Sequence, residues 1–268
     1  MGYYKQRDLD DILKILSSGK LSIGCNIKDI HDLLDCTKSK EYREFELKGG
    51  ATSKDKACEI SILRFNSTEV VFCNTLGKGK KAILNFASSK NPGGGWRKCA
   101  MAQEESLCMS SNLGVELEKH MEFYEYNRKN LHRGLYSDGI IYSKDVVFFK
   151  LKGKNEIPIL CDVITCAAPN AFAAKKNGVA DSEIDKTMQR RIEQIMITAI
   201  NNDVEILVLG AFGCGVFKNN PESVARTMMN CLESYGKYFE RVVFPLIGKQ
   251  DKNYIIFGNE INKHKIKN

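Results

Sequence analysis

The sequence predicts an α/β sandwich with a mixed sheet whose loops gather at one edge. Over residues 57–258, short apolar runs of strand length alternate with longer segments whose apolar residues recur at helical spacing. Two glycine-rich segments, 93–95 and 210–215, follow such apolar runs, so each lies beyond the end of a predicted strand. Open α/β sheets bind ligands at the carboxyl ends of their strands, which makes both segments candidate parts of a site.

Residues 1–50 are predicted to form a helical extension ahead of the sheet. Apolar residues over 8–16 recur at helical spacing, up to a glycine that suits a helix end. Shorter helices are predicted over 27–34 and 39–47. The main domain then covers the rest of the chain, 51–268.

Strands and helices are predicted to alternate within the main domain. The predicted strands lie at 58–65, 69–73, 82–86, 139–151 (two strands or a hairpin), 159–166, 204–209, 241–245 and, as an edge, 254–257. One helix is predicted to start over residues 106–113. Three further helices are predicted over 116–127, 182–202 and 220–234. The helix over 182–202 is the clearest, because its apolar residues lie on one face.

Composition and charge limit the classes of function. The 268 residues are 43% hydrophobic, enough for a sizeable core, and 40 Lys and Arg against 33 Asp and Glu give a net charge of +7. This charge suits a polyanionic partner, but it is spread along the chain and no nucleic-acid recognition motif accompanies it. Nucleic acid is therefore not an expected partner; steep salt dependence of nucleic-acid affinity would be the mark of that alternative.

The ten cysteines are scattered, and no two show the C-x-x-C spacing of many zinc and redox sites. We expect buried free thiols in a reducing compartment, with no bound metal. The charged amino terminus lacks an apolar signal region, and no apolar run reaches membrane-spanning length. The expectation is a soluble cytoplasmic monomer without a membrane partner.

The segment 85–112 carries the strongest pattern in the chain. Three consecutive glycines, 93–95, follow a proline, and a spacer of seven residues leads to Gln103, Glu104 and Glu105. Glycine lets a ligand approach the backbone closely, and N–H groups at a helix start favour anions. Adjacent carboxylates repel, so one tends to keep its proton and suits a general acid, whereas the helix dipole favours the ionised form. The sequence leaves open which effect prevails, and a surface turn before acidic helix residues is the simpler interpretation of either half alone.

The segment 210–221, G-A-F-G-C-G-V-F-K-N-N-P, joins a predicted buried strand to a helix. Its main-chain N–H groups could cradle a diphosphate, together with the start of the following helix. A tight turn that needs glycine only for packing is an equally weighted alternative, because the segment lacks the G-x-G-x-x-G dinucleotide pattern.

Together the two segments resemble the signatures of microbial-type poly(ADP-ribose) glycohydrolases. The first matches N-F-A-S-x-x-N-P-G-G-G followed by Q-E-E, and the second matches G-x-F-G-C-G-V-F-x-N-x-P, the diphosphate loop of macrodomains in its glycohydrolase form. The resemblance covers about residues 57–258. It implies a macrodomain-like three-layer α/β/α sandwich with a mixed sheet and an N-terminal helical extension, and makes 51–268 the glycohydrolase catalytic domain.

The resemblance also implies an activity and its residues. The enzyme would hydrolyse ribose–ribose O-glycosidic bonds of poly(ADP-ribose) on modified proteins and release ADP-ribose, without a cofactor. Glu105 would protonate the leaving 2′ oxygen and then activate water, while Glu104 would hold the ribose hydroxyls. The usual glycosidase arrangement, with carboxylates on opposite faces of the sugar, fits neighbouring glutamates poorly. The candidate substrate-binding residues are Asn85, Ser88, Asn91, Gly93, Gly94, Gly95, Gln103, Asn170, Gly213, Cys214, Gly215, Val216 and Phe217, the last as an aromatic packing on the terminal ribose.

Three of these points need separate comment. Asn170 is a candidate because it follows a predicted strand end, and an asparagine that only forms a turn after Pro169 has comparable weight. Cys214 is interpreted as a small buried residue that lends its backbone, since no histidine stands near it in the sequence. The spacer 96–102 departs from the family, which often has further glycines there, so loop flexibility and chain-length preference stay open.

Other functions remain possible for the same site. It could act on mono-ADP-ribosylated proteins or on O-acetyl-ADP-ribose esters, although both glutamates of Q-E-E favour the glycosidic substrate. A macrodomain-like module that only binds ADP-ribose is the alternative from another class, and the intact glutamate pair argues against it.

Overall fold

The structure is a computed structural model that describes residues 4–248 and 251–267, with side chains up to residue 264. The strands are β1 (Lys20–Ile23), β2 (Asn26–Asp29), β3 (Lys38–Tyr42), β4 (Glu59–Leu63), β5 (Lys81–Phe86), β6 (Ile140–Leu151), β7 (Lys154–Cys166), β8 (Ile206–Val208) and β9 (Arg241–Pro245). The α-helices are α1 (Gln6–Ser18), α2 (His31–Cys36), α3 (Ser67–Val71), α4 (Gln103–Cys108), α5 (Leu113–Leu117), α6 (Met121–Lys129), α7 (Ala171–Lys176), α8 (Asp181–Asn201), α9 (Pro221–Tyr235) and α10 (Lys252–Lys267).

The main sheet has seven strands in the order β3-β6-β7-β5-β8-β9-β4. The pairs that involve β6 are antiparallel and the other pairs are parallel, so the sheet is mixed as predicted. Alternate residues of β5 point to opposite faces: Ala82 and Leu84 pack with α8, α9 and α10, and Ile83 packs with α1, α4 and α5. These two apolar cores produce the three-layer sandwich that the sequence predicts.

The N-terminal segment differs from the predicted helical extension. Helix α1 forms as expected, because Leu9, Ile12 and Ile15 are buried on one face. The predicted helix over 27–34 is instead the end of β2 followed by α2, and 39–47 is not helical. Residues 38–42 form β3, which pairs with β6 and completes the edge of the main sheet, a long-range pairing that local spacing does not reveal. The division of the chain at residue 50 stays a prediction.

Two predicted strands of the main domain are helices. Residues 69–73 largely belong to α3, because the Asn66 side chain accepts a hydrogen bond from the Glu69 amide at 2.8 Å and Glu69 accepts one from the Asn66 amide at 2.7 Å. This capping box outweighs the strand preference of the valines. Residues 254–257 lie in α10, whose Phe257 and Ile261 are buried one turn apart.

Other element boundaries also shift. The single strand β6 replaces the two predicted strands, and β7 starts at Lys154 and runs through the predicted connector 155–158. The predicted helix over 116–127 divides between α5, a 3₁₀ turn and α6. None of the helices within the described residues has the length and apolarity needed to cross a membrane.

The topology brings the informative loops together. Strands β7, β5 and β8 are parallel neighbours, and Phe86 at the end of β5 lies opposite Cys166 at the end of β7. The loops that follow these three strands therefore leave the same edge of the sheet, as the sequence predicts.

Candidate active site

The first glycine loop folds tightly over the glutamate pair. Gly93 and Gly94 have φ of 67° and 63°, in the left-handed region that favours glycine. A Cβ atom on Gly94 would lie 2.4 Å from Glu105 Oε1 and 2.8 Å from Glu104 Oε2. The two carboxyl groups thus converge on one point of the backbone, which only a glycine can occupy.

Gln103 fixes the start of α4 to the end of β5. Its Oε1 accepts a hydrogen bond from the Phe86 amide at 2.8 Å, and its Nε2 donates to the Leu84 carbonyl at 2.8 Å and to Ser67 Oγ at 3.2 Å. Both glutamates follow in the first turn of the helix and are held at the sheet edge. These bonds give Gln103 a bracing role, and its contact with substrate stays a prediction.

Glu104 is 3% exposed and is held by donors. Its Oε2 accepts a hydrogen bond from the Ser88 amide at 2.7 Å, and its Oε1 accepts one from Asn85 Nδ2 at 3.3 Å. Burial raises the Glu104 pKa to about 8, and the charge of Glu105 adds to this effect, although the Ser88 and Asn85 hydrogen bonds oppose it. Burial, which the sequence analysis did not weigh, together with the repulsion from Glu105 raises the Glu104 pKa enough for this group to keep its proton at neutral pH.

Glu105 is 8% exposed and has two different oxygens. Its Oε1 accepts a hydrogen bond from the Gly95 amide at 2.8 Å. Its Oε2 has no hydrogen-bond partner among the described residues. Buried polar atoms are nearly always paired in proteins, so an unpaired carboxyl oxygen beside a cavity is a candidate for contact with substrate.

The three polar residues predicted at the end of β5 and beyond it lie at different depths. Asn85 is fully buried, and its Nδ2 contacts both Glu104 and Thr165 Oγ1 at 3.3 Å, so it lies behind the carboxyl pair. Ser88 Oγ accepts a hydrogen bond from the Asn91 amide at 3.1 Å and shapes the loop. Asn91 is exposed and lines the cavity in front of the glutamates. Asn91 is therefore positioned where it can contact the distal ribose directly, whereas Asn85 donates its hydrogen bond to Glu104.

The second glycine loop, 210–217, presents free backbone. Gly213 is packed tightly, since a Cβ there would lie 2.6 Å from Ala168 Cβ, but Gly215 has no atom of the described chain within 4 Å of its Cβ position. The amides of Gly215, Val216 and Phe217 donate to no acceptor in the described part of the protein. Val216 is 78% exposed. Three successive unpaired N–H groups are the arrangement that binds a diphosphate.

Cys214 and Asn170 have roles that the structure makes specific. Burial raises the Cys214 pKa to about 12, so the thiol stays protonated and is a poor nucleophile. Asn170 caps α7, because its Oδ1 accepts a hydrogen bond from the Ala173 amide at 3.0 Å. Its Nδ2 also reaches the Tyr136 hydroxyl at 3.4 Å, beside the Phe217 ring. Asn170 thus has a structural role as a helix cap, and its contact with a ligand stays a prediction.

Two adjoining cavities form one cleft along these loops. The first, about 500 Å³, is lined by both glutamates, the first glycine loop and the turn that follows it. The second, about 460 Å³, is largely apolar and is lined by Phe212, Leu246 and Ile247 among others. Phe86, Ala102, Val216 and Phe217 line both cavities, so the second glycine loop borders the passage between them.

Two residues near the site escaped the sequence analysis. The ring of Tyr136 lies 6.1 Å from that of Phe217, with its backbone at a left-handed φ of 63°. Arg191 is fully buried and donates hydrogen bonds to the carbonyls of Leu135, Tyr136 and Ala167, which hold this strained segment. Helical spacing places position 191 on the buried face of α8 with Met188 and Ile195. An arginine on this otherwise apolar face is the feature of the sequence that could have predicted a buried, functional cation.

Comparisons with known proteins agree with this site. The family model described as "Microbial-type PARG, catalytic domain" matches residues 14–151. The solved structure of poly(ADP-ribose) glycohydrolase (PARG) from Thermomonospora curvata is 28% identical, with a TM-score of 0.84 over 95% of this chain and 98% of that one. The PARG of Deinococcus radiodurans in complex with ADP-ribose is 33% identical, with a TM-score of 0.71 over 77% of this chain and 85% of that one.

A further structure of the Thermomonospora curvata enzyme, bound to the inhibitor ADP-HPD, is also 28% identical and has a TM-score of 0.83. No curated protein sequence matches significantly. The family match spans more than half of the chain and contains the first glycine loop and both glutamates. The chain therefore belongs to the family of microbial-type PARG catalytic domains.

Proposed function

We propose that this chain hydrolyses the ribose–ribose O-glycosidic bonds of poly(ADP-ribose) and releases ADP-ribose, with Glu105 as general acid and base. The observation that carries the proposal is the buried glutamate pair at the sheet edge. One oxygen of Glu105 is fixed by the Gly95 amide, and the other is unpartnered among the described residues in a cleft of about 500 Å³. Such a carboxyl group is positioned before substrate arrives.

The bound unit spans both cavities. Its diphosphate lies on the free amides of Gly215, Val216 and Phe217, and its terminal ribose lies beside Phe217 with the anomeric carbon at Glu105. The adenosine end extends into the largely apolar second cavity. This placement is supported by the residues that line the two cavities. Glu105 lines the first cavity, and Val216 and Phe217 line both.

The reaction needs one proton and one water. Glu105 donates its proton to O2′ of the leaving unit as the C1″–O2′ bond breaks and its electron pair goes to the oxygen. The positive charge that develops at C1″ is met by the carboxylate. Water then attacks C1″ and gives a proton to Glu105, which restores the acid. The two carboxyl groups converge on Gly94 from the same side, so the two-sided arrangement of most glycosidases does not apply.

Glu104 holds the substrate as a neutral group. Its pKa of about 8 means that Glu104 retains its proton at neutral pH. The unpartnered Oε2 of Glu105 is the oxygen placed to deliver a proton to the leaving group. As a neutral group, Glu104 can donate a hydrogen bond to a ribose hydroxyl.

The test measures ADP-ribose released from automodified poly(ADP-ribosyl)ated protein without added metal. Wild type and Glu44→Gln, an exposed residue on no cavity wall described above, should both release ADP-ribose, and Glu105→Gln should not. Mono-ADP-ribosylated protein serves as a parallel substrate. If ADP-ribose is released from the mono-modified protein alone, the substrate is mono-ADP-ribosylated protein and not poly(ADP-ribose). If the protein binds ADP-ribose but releases it from neither substrate, it is a module that only binds ADP-ribose.

We also propose that the protein works as a monomer in the cytoplasm. All ten cysteines are free thiols, which suits a reducing compartment. Light scattering of the purified protein and fractionation of cells test these two points; a stable dimer or a membrane-associated pool would contradict them.

A further inference from the structure

The spacer between the glycine loop and α4 is a compact turn. Trp96–Lys98 form a 3₁₀ turn, closed by hydrogen bonds from the Lys98 amide to the Gly95 carbonyl at 2.9 Å and from the Cys99 amide to the Trp96 carbonyl at 3.1 Å. Trp96 is 1% exposed and anchors the turn against Gly114, where a Cβ would lie 2.6 Å from the indole ring. The turn therefore presents its next two side chains from a fixed base.

These two side chains are cations on the wall of the first cavity. The Arg97 guanidinium lies 4.5 Å from the centre of the Trp96 ring and binds Glu118 through two hydrogen bonds of 2.6 and 2.7 Å. This pairing uses two of its five N–H donors. Lys98 is exposed and has no ion-pair partner within the described residues. Arg97 is thus held in place, and Lys98 is free to meet an anion.

Positive charge is scarce on the wall of the cleft. Four acidic residues line the two cavities, namely Glu104, Glu105, Glu118 and Asp251, of which Glu118 is paired with Arg97. Arg97 and Lys98 are the sole cations among the described lining residues, and both lie on the first cavity. Every unit of poly(ADP-ribose) carries a diphosphate, so these two cations are the groups on the described cleft wall that can attract the diphosphate of a second unit.

The direction of the cleft points the second unit toward this turn. In the proposed placement, the bound unit extends from Glu105 past Val216 and Phe217 into the second cavity, which Arg97 and Lys98 do not line. The unit that leaves is attached to C1″ through its own O2′. It must therefore use the part of the first cavity wall that the bound unit leaves free, and Asn91 and the 96–98 turn belong to that wall.

We infer that Arg97 and Lys98 form a subsite for the diphosphate of the leaving ADP-ribose unit. The subsite makes the enzyme prefer a polymer over an ADP-ribosyl group on a neutral acceptor. The inference rests on the proposed function and extends it to the part of the substrate beyond the scissile bond.

The experiment compares two substrates with one charge-reversed variant. The substrates are poly(ADP-ribose) and ADP-ribose that carries a neutral aryloxy group on C1″, which keeps the bound unit and replaces the leaving one. Lys98→Glu should lower the ratio of kcat/KM for the polymer to kcat/KM for the aryl substrate about tenfold at low ionic strength, and less at high ionic strength, as Coulomb energies near a surface allow. Lys98→Gln should lower the ratio in the same direction by a smaller factor.

Lys28→Glu is the matched control, because it makes the same change in net charge elsewhere. Lys28 is exposed on β2, in the hairpin whose Ser22 carbonyl accepts a hydrogen bond from Asn155 near the start of β7, the end of that strand away from the cleft. This variant should leave the ratio unchanged. A thermal melt of each variant confirms that it is folded.

The outcomes separate the two proposals. An active wild type with the same ratio in Lys98→Glu and Lys28→Glu overturns the subsite and leaves the proposed function intact. A ratio that falls equally in both variants also overturns it, since net charge would then be the cause. A wild type that cleaves neither substrate overturns the proposed function, and the subsite with it.

Discussion

Gly94 in the first glycine loop and Gly215 in the second are needed for opposite reasons. In the first, a Cβ on Gly94 would collide with Glu105 Oε1 at 2.4 Å, and the amides of Ser88 and Gly95 already bind the glutamate pair. In the second, the Cβ position of Gly215 has open space within the described chain, and the adjacent amides bind nothing there. Contacts inside the protein also fix Gly213 of the second loop, but the backbone over 215–217 is left open, as our proposal for diphosphate binding requires.

This difference predicts that the first loop contributes to catalysis and the second to ADP-ribose binding. Donors fixed before substrate binds hold carboxyl groups in the geometry of reaction, which is the usual source of catalytic power. Backbone left unpaired gains its hydrogen bonds only with the ligand and contributes to affinity. Changes in the first loop should therefore lower the rate of hydrolysis, and changes in the second should weaken ADP-ribose binding.

Among changes to the two glycine loops, the largest effect is expected for Gly94→Ala. The added methyl group must displace Glu105, and the left-handed φ of 63° adds strain. Misplacement of a reacting group by about 1 Å costs about a hundredfold in rate, and we expect at least that loss in polymer hydrolysis. Hydrolysis within a few-fold of wild type would contradict the close approach of loop and carboxyl group.

The pH dependence of stability tests the cost of the buried pair. The unfolded Glu104 carboxyl group has its ordinary pKa of about 4.5, whereas folded Glu104 keeps its proton up to about pH 8. A raised carboxyl pKa means that the folded state binds the extra proton, so wild type loses stability as pH rises from about 4.5 to about 8. Glu104→Gln lacks this loss, and its free energy of unfolding relative to wild type should rise across that window by an amount on the order of 5 kcal/mol.

Denaturant unfolding at pH 5, 6, 7 and 8 measures this difference. Glu44→Gln, at an exposed site, should run parallel to wild type over the same range. Parallel curves for Glu104→Gln as well would mean that Glu104 ionises normally in the folded protein.

The sequence analysis was accurate where local chemistry decides the structure. The glycines, the glutamate pair and the strands around them follow from residue type and spacing, and the structure brings them to one edge. It failed at β3, which exists because β6, a hundred residues further along the chain, offers an edge. It also failed at α3, although the capping pair Asn66 and Glu69 is visible in the sequence and should outweigh the valines.

Parts of the site depend on tertiary packing and were out of reach. Tyr136 approaches Phe217 because Arg191, from a distant helix, holds the carbonyls around it. The protonation of Glu104 depends on burial, which a sequence does not quantify. The contrast between the two glycine loops likewise appears only when the neighbours of each glycine are known.

Phe217→Ala should mainly affect binding. Loss of the ring that borders both cavities removes apolar contact worth about 1–2 kcal/mol, which corresponds to about a tenfold higher Kd for ADP-ribose. The rate at saturating polymer should change little, because the glutamates keep their contacts. A purely kcat effect would contradict the division between the loops.

Gly215→Ala should have the smallest effect on the fold. Its Cβ would meet no described atom, and its φ is not in the left-handed region. We expect the free energy of unfolding to stay within about 0.5 kcal/mol of wild type, as for most surface substitutions. Calorimetric melting of Gly215→Ala and Gly94→Ala compares the stability of the two variants. Equal destabilisation would contradict the difference between the two glycine positions.

The most direct test of the account combines two measurements on Glu105→Gln, the single-turnover rate of polymer hydrolysis and the Kd for ADP-ribose. The account predicts that the rate falls about a thousandfold, the range expected for loss of a general acid and base, while the Kd stays within about threefold of wild type. Hydrolysis within tenfold of the wild-type rate would contradict it, because Glu105 would then not be the group that protonates the leaving oxygen.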